Sequence, residues 1–334
     1  WIDKVMPAVV IGPTVAIIGL SLAPNAIGDL LSGSFKAEIL PGVFEVTADP
    51  WIAFLCGMVT LFVTIGFAVY AKGFLKMIPF VMGILAGYVC AAIFTGIGYA
   101  ANNDALKVIN FELFKNMQWV PEFTFVTAFK GFGDFADAGE FFKYLGQVAV
   151  LYVPVAFVVF AEHLADHKNL SAVIDRNLLE EPGLHRTLLG DGIGSAVGAL
   201  FGGCPNTTYG ESVGTVAISG NASVITIVVT AAMAIVLAFI APFSTFLATI
   251  PSCVMGGVCI ALYGFITVSG LKMIQKVDLN ESANLFTASA ILIAGVGGLI
   301  LNIGGAVELR TVACALILGI LVNLFANLKK AKAE

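Results

Sequence analysis

Glu162 closes an uncharged run that begins at Gly146, and Glu211 stands in the string GCPNTTYGES, residues 203 to 212, between two apolar stretches. An ionisable group inside a membrane segment costs on the order of 2.5 kcal/mol or more, so it marks a functional site by default. Asp166 follows Glu162 by four residues, which places both on one face of a helix. The stretch around Glu211 adds Pro205, which has no backbone donor, and Gly202, Gly203 and Gly210, which favour non-helical geometry. Residues 203 to 209 are therefore expected to be extended, with helix resuming around Val213 and Glu211 near the N-terminal end of a half-helix. Irregular backbone at membrane depth is tolerated where it is buried in protein or lines a wet cavity. Ionised carboxylates accept hydrogen bonds and protonated ones also donate, and a low-dielectric setting favours the protonated form. Two such groups beside an open backbone suit a small planar ligand with N–H donors and C=O acceptors, carried together with a proton. Two plainer alternatives stand beside this one. Residues 203 to 212 form a structural re-entrant turn capped by Thr207 and Thr208, or the span before Glu162 ends at Ala161 and Glu162 to His167 are a solvated fringe.

The elements that would hold these groups follow from composition. Hydrophobic residues make up 59% of the 334 and charged residues 12%, with a mean hydropathy of +0.97. A soluble domain has roughly 45–50% and about 25%, so an integral membrane protein is indicated. Runs of about 20 apolar residues, enough to cross a bilayer as helix, lie near 7 to 24, 51 to 71, 78 to 100, 146 to 170, 222 to 243, 250 to 270, 284 to 301 and 311 to 328. Shorter pieces near 188 to 201 and 211 to 220 bring the expected segments to ten. With both termini inside, Lys72, Lys76, Lys168, Arg176, Arg186, Lys272 and Lys276 fall on cytoplasmic connections, as the positive-inside rule requires, and 101 to 144 lies outside. The six cysteines lack disulfide or zinc spacing and are expected as free thiols. An internal echo links Pro7, Val10 and Gly12 to Pro251, Val254 and Gly256, as a duplicated half would.

The strings AEHLADH (161 to 167), EEPGLHR (180 to 186), CPNTTYGESVG (204 to 214) and IPSCVMGGVCIALYG (250 to 264) closely resemble the bacterial uracil permeases of the nucleobase/ascorbate transporter family. The resemblance implies an all-α polytopic fold of fourteen segments in two inverted repeats, divided into core and gate domains. It implies that this chain begins at the fifth segment, so that the first four segments of the family, with the extended strand that faces residues 204 to 209, lie outside it. Residues 1–144 would then supply gate segments and a long extracellular connection, 145–245 the core segments with the substrate site, and 246–334 the remaining gate segments. Carried over by motif, Glu162, Glu211, Gly210, Tyr209 and Tyr263 would bind substrate, with Glu162 and Asp166 in proton coupling. Asp166 departs from the family pattern, which has histidine there in uracil permeases. The activity implied is uracil:proton symport across the cytoplasmic membrane, with the C-terminus inside. Xanthine, uric acid or another oxo-purine is the alternative substrate class, and an anion exchanger or channel of the same architecture the competing function. No HExxH enzyme motif is present. The partners implied are the nucleobase and the bilayer, with a homodimer left open and no nucleic acid. Neither metal nor cofactor is expected, the proton being the coupling ion.

Overall fold

A computed structural model describes residues 6–40, 43–46, 48–117, 119, 137–204, 206–210, 212–213, 216, 220–303, 307–309 and 311–328. In chain order the elements begin with α1 (Ala8–Leu30), the strands β1 (Lys36–Leu40) and β2 (Val43–Val46), α2 (Pro50–Tyr70) and α3 (Pro79–Ala100). They continue with α4 (Ala138–Ile174), α5 (Leu184–Leu200), α6 (Val224–Ala238), α7 (Ala241–Thr249), α8 (Ser252–Ile274) and α9 (Ser282–Val296). The strands β3 (Leu301–Ile303) and β4 (Val307–Leu309) and the helix α10 (Thr311–Ala326) complete the order.

Among the described residues, α1, α2, α3, α8 and the Ala138–Lys168 part of α4 are long and apolar enough to cross a membrane. Much of their surface faces outward: Trp51 is 79% exposed, Phe62 64% and Tyr70 82%. Large aromatic side chains exposed in such number would drive association in water, whereas lipid is a good solvent for them. The chain is a multi-pass membrane protein.

Local chemistry sets the helix starts. Asp49 caps α2 by accepting from the Trp51 N–H at 2.8 Å, with Pro50 at the first helical position. Asp137 caps α4 by accepting from the Glu140 N–H at 2.7 Å, the spacing of a capping box. At its far end α4 stops at Asp175 in left-handed geometry, φ 53° and ψ 43°.

Three expectations are corrected. The span drawn from 222 to 243 is two helices, α6 and α7, bent by 89° at a short break. Pro242 opens α7 and cannot extend a preceding helix, because its ring clashes with the turn before it. The run from 284 to 301 is helical only to Val296 and then enters β3. Two short antiparallel hairpins also interrupt an otherwise helical chain, pairing Lys36 with Val46 and Asn302 with Glu308.

The packing divides into two units. The first comprises Trp1–Ser21, Phe123–Gly214 and Phe265–Glu334. Its core joins Val10, Ile11, Ile17, Leu164, Ile291 and Leu316. The second comprises Leu22–Glu122 and Thr215–Gly264, with Ala53, Cys56, Ala91, Val108, Cys253 and Val254 at its centre. In this second unit Thr95 donates to the Ala91 carbonyl at 2.7 Å and accepts from the Val108 and Ile109 N–H groups at 3.0 and 3.1 Å. That one hydroxyl fastens the chain after α3 to the helix itself.

The echo at Pro7 and Pro251 has a structural counterpart. Each proline immediately precedes a 23-residue helix, and its carbonyl accepts the first turn's N–H groups: Val10 at 2.8 Å and Ile11 at 3.1 Å, Val254 at 3.0 Å and Met255 at 3.2 Å. In the first unit a Cβ on Gly12 would meet Ile274 Cγ1 at 2.9 Å and the Gly270 carbonyl oxygen at 3.1 Å. In the second unit a Cβ on Gly256 would meet the Ala26 carbonyl oxygen and the Leu30 Cα, each at 2.8 Å. Ala26 and Leu30 correspond to Gly270 and Ile274 at the sequence offset that relates Pro7 to Pro251. The same glycine meets the same pair of positions in both places.

Candidate functional site

Helix α4 is the first support of the site. It runs without interruption through Glu162 and Asp166 to Ile174, so the helix does not end at Ala161. At about 1.5 Å per residue, its 37 residues exceed the roughly 30 Å of a hydrocarbon core, and the helix carries its polar C-terminal turns beyond the apolar stretch. Glu162 is half-buried and Asp166 is buried at 9% exposure.

Helix α5 is the second support. Thr187, Asp191 and Ser195 recur every fourth residue, which aligns them along one face. Among the described residues, 203, 204 and 206–209 are neither helix nor strand, and helical geometry resumes at Gly210. The expected break in the helical pattern is present, with the helix restarting three residues earlier than Val213. It leaves α5 through Gly202 at φ 81°, and the Gly203 N–H donates back to the Gly198 carbonyl at 2.9 Å. That left-handed turn is open to glycine at little cost.

Side chains from the two helices pin this segment. Ser195 Oγ lies 2.7 Å from both the carbonyl and the Oδ1 of Asn206, sharing its one hydrogen between them. Thr208 Oγ1 donates to Asp166 Oδ2 at 2.8 Å. Gly210 lies so close to the same carboxylate that a Cβ there would stand 2.8 Å from Asp166 Oδ1. The segment's approach to α4 thus requires glycine at 210. Thr207 Oγ1 is buried with no hydrogen-bond partner. An orphaned hydroxyl is costly when dry, and here it is available to a polar guest or to water.

The structure therefore brings Asp166 and Gly210 together, with Glu162 one turn away on the same helix. Tyr209 is adjacent in sequence and 58% exposed. Tyr263 is half-buried on α8, in the second unit. Glu211 lies outside the described residues. Among the described residues no group of three or more His, Cys, Asp or Glu side chains could hold a metal. The six cysteines are free thiols.

Sequence reasoning missed a second polar cluster. His163, 1% exposed, places Nδ1 3.2 Å from Asp191 Oδ2 and Nε2 3.0 Å from Thr187 Oγ1. The His167 ring stacks on it at 4.1 Å between centroids, and His167 Nδ1 donates to the His163 carbonyl at 2.9 Å. The signal for Asp191 was available. It is a charged residue in the apolar string LLGDGIG, and the rule that singled out Glu162 applies to it equally.

The comparisons with known proteins agree with one another. Residues 1–304 match the model of a family described as a permease family. The chain is 36% identical over its whole length to a uracil permease of Bacillus caldolyticus, covering 71% of that protein. It is 35% identical to the uracil permease of Bacillus subtilis strain 168, again over its whole length and 71% of the relative. The uracil permease of Escherichia coli K12 is 34% identical across 98% of the chain and 68% of its own length.

Proposed function

The chain belongs to the permease family, and from that premise we propose that it is a secondary active transporter carrying uracil, or a close oxo-nucleobase, with a proton across the cytoplasmic membrane. It is a transporter and not an enzyme. The observation that carries the proposal is the buried Asp166 carboxylate on α4, one turn from Glu162, bonded to a non-helical segment that interrupts the chain between apolar helices. Relatives named uracil permeases, alike over nearly the whole chain, supply the substrate class.

In this mechanism the base sits against the segment 206–210, with Glu162 and Glu211 accepting from its N–H groups and Gly210 offering backbone at close range. Tyr209 completes the lining, and Tyr263 remains a substrate-binding candidate by motif alone. Glu162 takes up the coupling proton, and Asp166 tunes it from one turn away. Where the family pattern has histidine at 166, the carboxylate here holds Thr208. Residues 145–245 form the core segments, flanked by gate segments in 1–144 and 246–334. The matched glycine contacts at Gly12 and Gly256 support two inverted repeats, since in each the early part of one helix meets the late part of the other. The C-terminus is cytoplasmic. The proton is the coupling ion, and no cofactor or metal takes part.

Uptake of radiolabelled uracil by cells expressing the protein tests this. Accumulation should follow an inward proton gradient and collapse with an uncoupler. A Glu162→Gln protein, permanently neutral at that position, should exchange uracil without concentrating it. Gradient-driven accumulation by Glu162→Gln would move the proton site elsewhere.

A further inference from the structure

Three elements of the first unit close on one another through hydrogen bonds made by side chains. Helix α4 meets α5 where His163 contacts Asp191 and Thr187. Helix α5 meets the non-helical segment where Ser195 contacts Asn206. The segment returns to α4 where Thr208 contacts Asp166. Each contact is directional, and the circuit has three sides. Opening one leaves the remaining two to hold a geometry that three had fixed.

Hydrogen bonding defines the first side. Thr187 Oγ1 lies 3.1 Å from the Leu184 carbonyl oxygen and 3.0 Å from His163 Nε2. A hydrogen must lie between His163 Nδ1 and Asp191 Oδ2, because an unprotonated ring nitrogen and a carboxylate are both acceptors. His163 is also the residue next to Glu162, so a rotation of α4 that freed its ring would turn that carboxylate as well.

We infer that His163 and Asp191 are a positioning pair for the substrate site. Their contact fixes α5 against α4 and, through Ser195 and Asn206, seats Thr208 on Asp166, while neither residue touches the substrate. The role holds only with Glu162 and Asp166 in the substrate site, as proposed above. Four buried or half-buried polar side chains satisfied among themselves are a costly arrangement at membrane depth, and apolar residues of similar size would hold two helices together equally well.

The test is initial uptake and equilibrium binding of radiolabelled uracil in membranes expressing the protein, normalised to its abundance. His163→Asn and Asp191→Ala should each raise KM and Kd about tenfold, the loss expected for one hydrogen bond to an ionised group. Maximal uptake per molecule should change by less than about twofold. The double variant should be no worse than the poorer single one, since both open the same side of the circuit. Asp191→Asn, whose amide oxygen still accepts from Nδ1–H, should return KM to within about threefold of the parent protein. A purely structural role would lower abundance and leave KM unmoved, and independent roles would multiply in the double variant; either result overturns the pairing. Should His163→Asn fail to accumulate, Thr187→Val carries the same test with an expected KM rise of about threefold, and an unmoved KM there is equally decisive. Glu162→Gln, run alongside, separates the two levels. Wild-type uracil affinity in that protein sinks the substrate site itself, whereas impaired affinity beside unmoved pair variants sinks only the positioning role.

Discussion

The site around Asp166 and the bundle at the heart of the second unit are both tightly fitted, by opposite means. In the bundle, α2, α3 and α8 approach over glycine. A Cβ on Gly83 would run into the Thr64 hydroxyl, one on Gly87 into the Thr60 hydroxyl, and one on Gly257 into the Gly57 carbonyl. The threonines spend their hydrogens on their own helix: Thr60 donates to the Cys56 carbonyl at 2.9 Å and Thr64 to the Thr60 carbonyl at 2.8 Å. Between α2 and α3 these threonines supply packing contact, beside one weak thiol contact of Cys56 Sγ with Cys90 Sγ at 3.9 Å. Around Asp166 the order is reversed, and Thr208, Ser195 and His163 all reach from one element to another. In lipid, small residues let backbones approach and gain dispersion over a long seam. Such a seam tolerates sliding better than a set of directional bonds, which fixes individual atoms. The first suits a scaffold, the second a place where a ligand must be met by particular groups.

Substitutions should separate the two regions by what they change. The largest effect is expected from Gly257→Leu. Its side chain meets backbone, which cannot yield, and overpacking costs on the order of 1–3 kcal/mol or more. Thermal unfolding of the detergent-purified protein should shift down by several degrees, with loss of the monodisperse peak, while surviving molecules keep their KM for uracil. A raised KM with unchanged melting would erase the distinction.

Asp166→Ala should do the reverse. Losing the hydrogen bond to an ionised carboxylate is worth about 1.5–3 kcal/mol, so KM should rise on the order of tenfold or more at near-normal abundance. Asp166→Asn, which keeps an acceptor for Thr208, should fall between the two. If Asp166→Ala lowers the melting temperature and spares KM, the site is held by packing after all.

Ser195→Ala is the mildest of the three. A neutral hydrogen bond contributes about 0.5–1.5 kcal/mol, so uptake should show a KM rise of a few-fold, with unfolding within error of the parent. An effect as large as that of Asp166→Ala would mean that the hold on Asn206, and not the carboxylate, sets the segment.

Much of this was legible in residues. The apolar runs marked where helices lie, because a bilayer dictates their length and composition. The glycines and Pro205 marked the non-helical stretch, and the charge rule found Glu162. Pro242 signalled the bend between α6 and α7, but hydropathy averaged across it hides a break two residues wide. The hairpin at 36–46 was signalled by Pro41–Gly42, a turn dipeptide flanked by Leu40 and Val43. It too is easily passed over beside twenty-residue spans.

By itself the sequence determined that this is a membrane protein of many helices, where its backbone leaves the helix, and that carboxylates stand near that place. Hydropathy, glycine and proline act over a few neighbours, and their consequences can be read in order along the chain. Tertiary structure alone decided that Thr208 is the partner of Asp166, 42 residues apart, and that His163 is held by Asp191 and Thr187 rather than lying idle on its helix. A hydrogen bond depends on angstrom-scale distance between atoms whose separation along the chain carries no such information, and only the packing of α4 against α5 brings those atoms within reach.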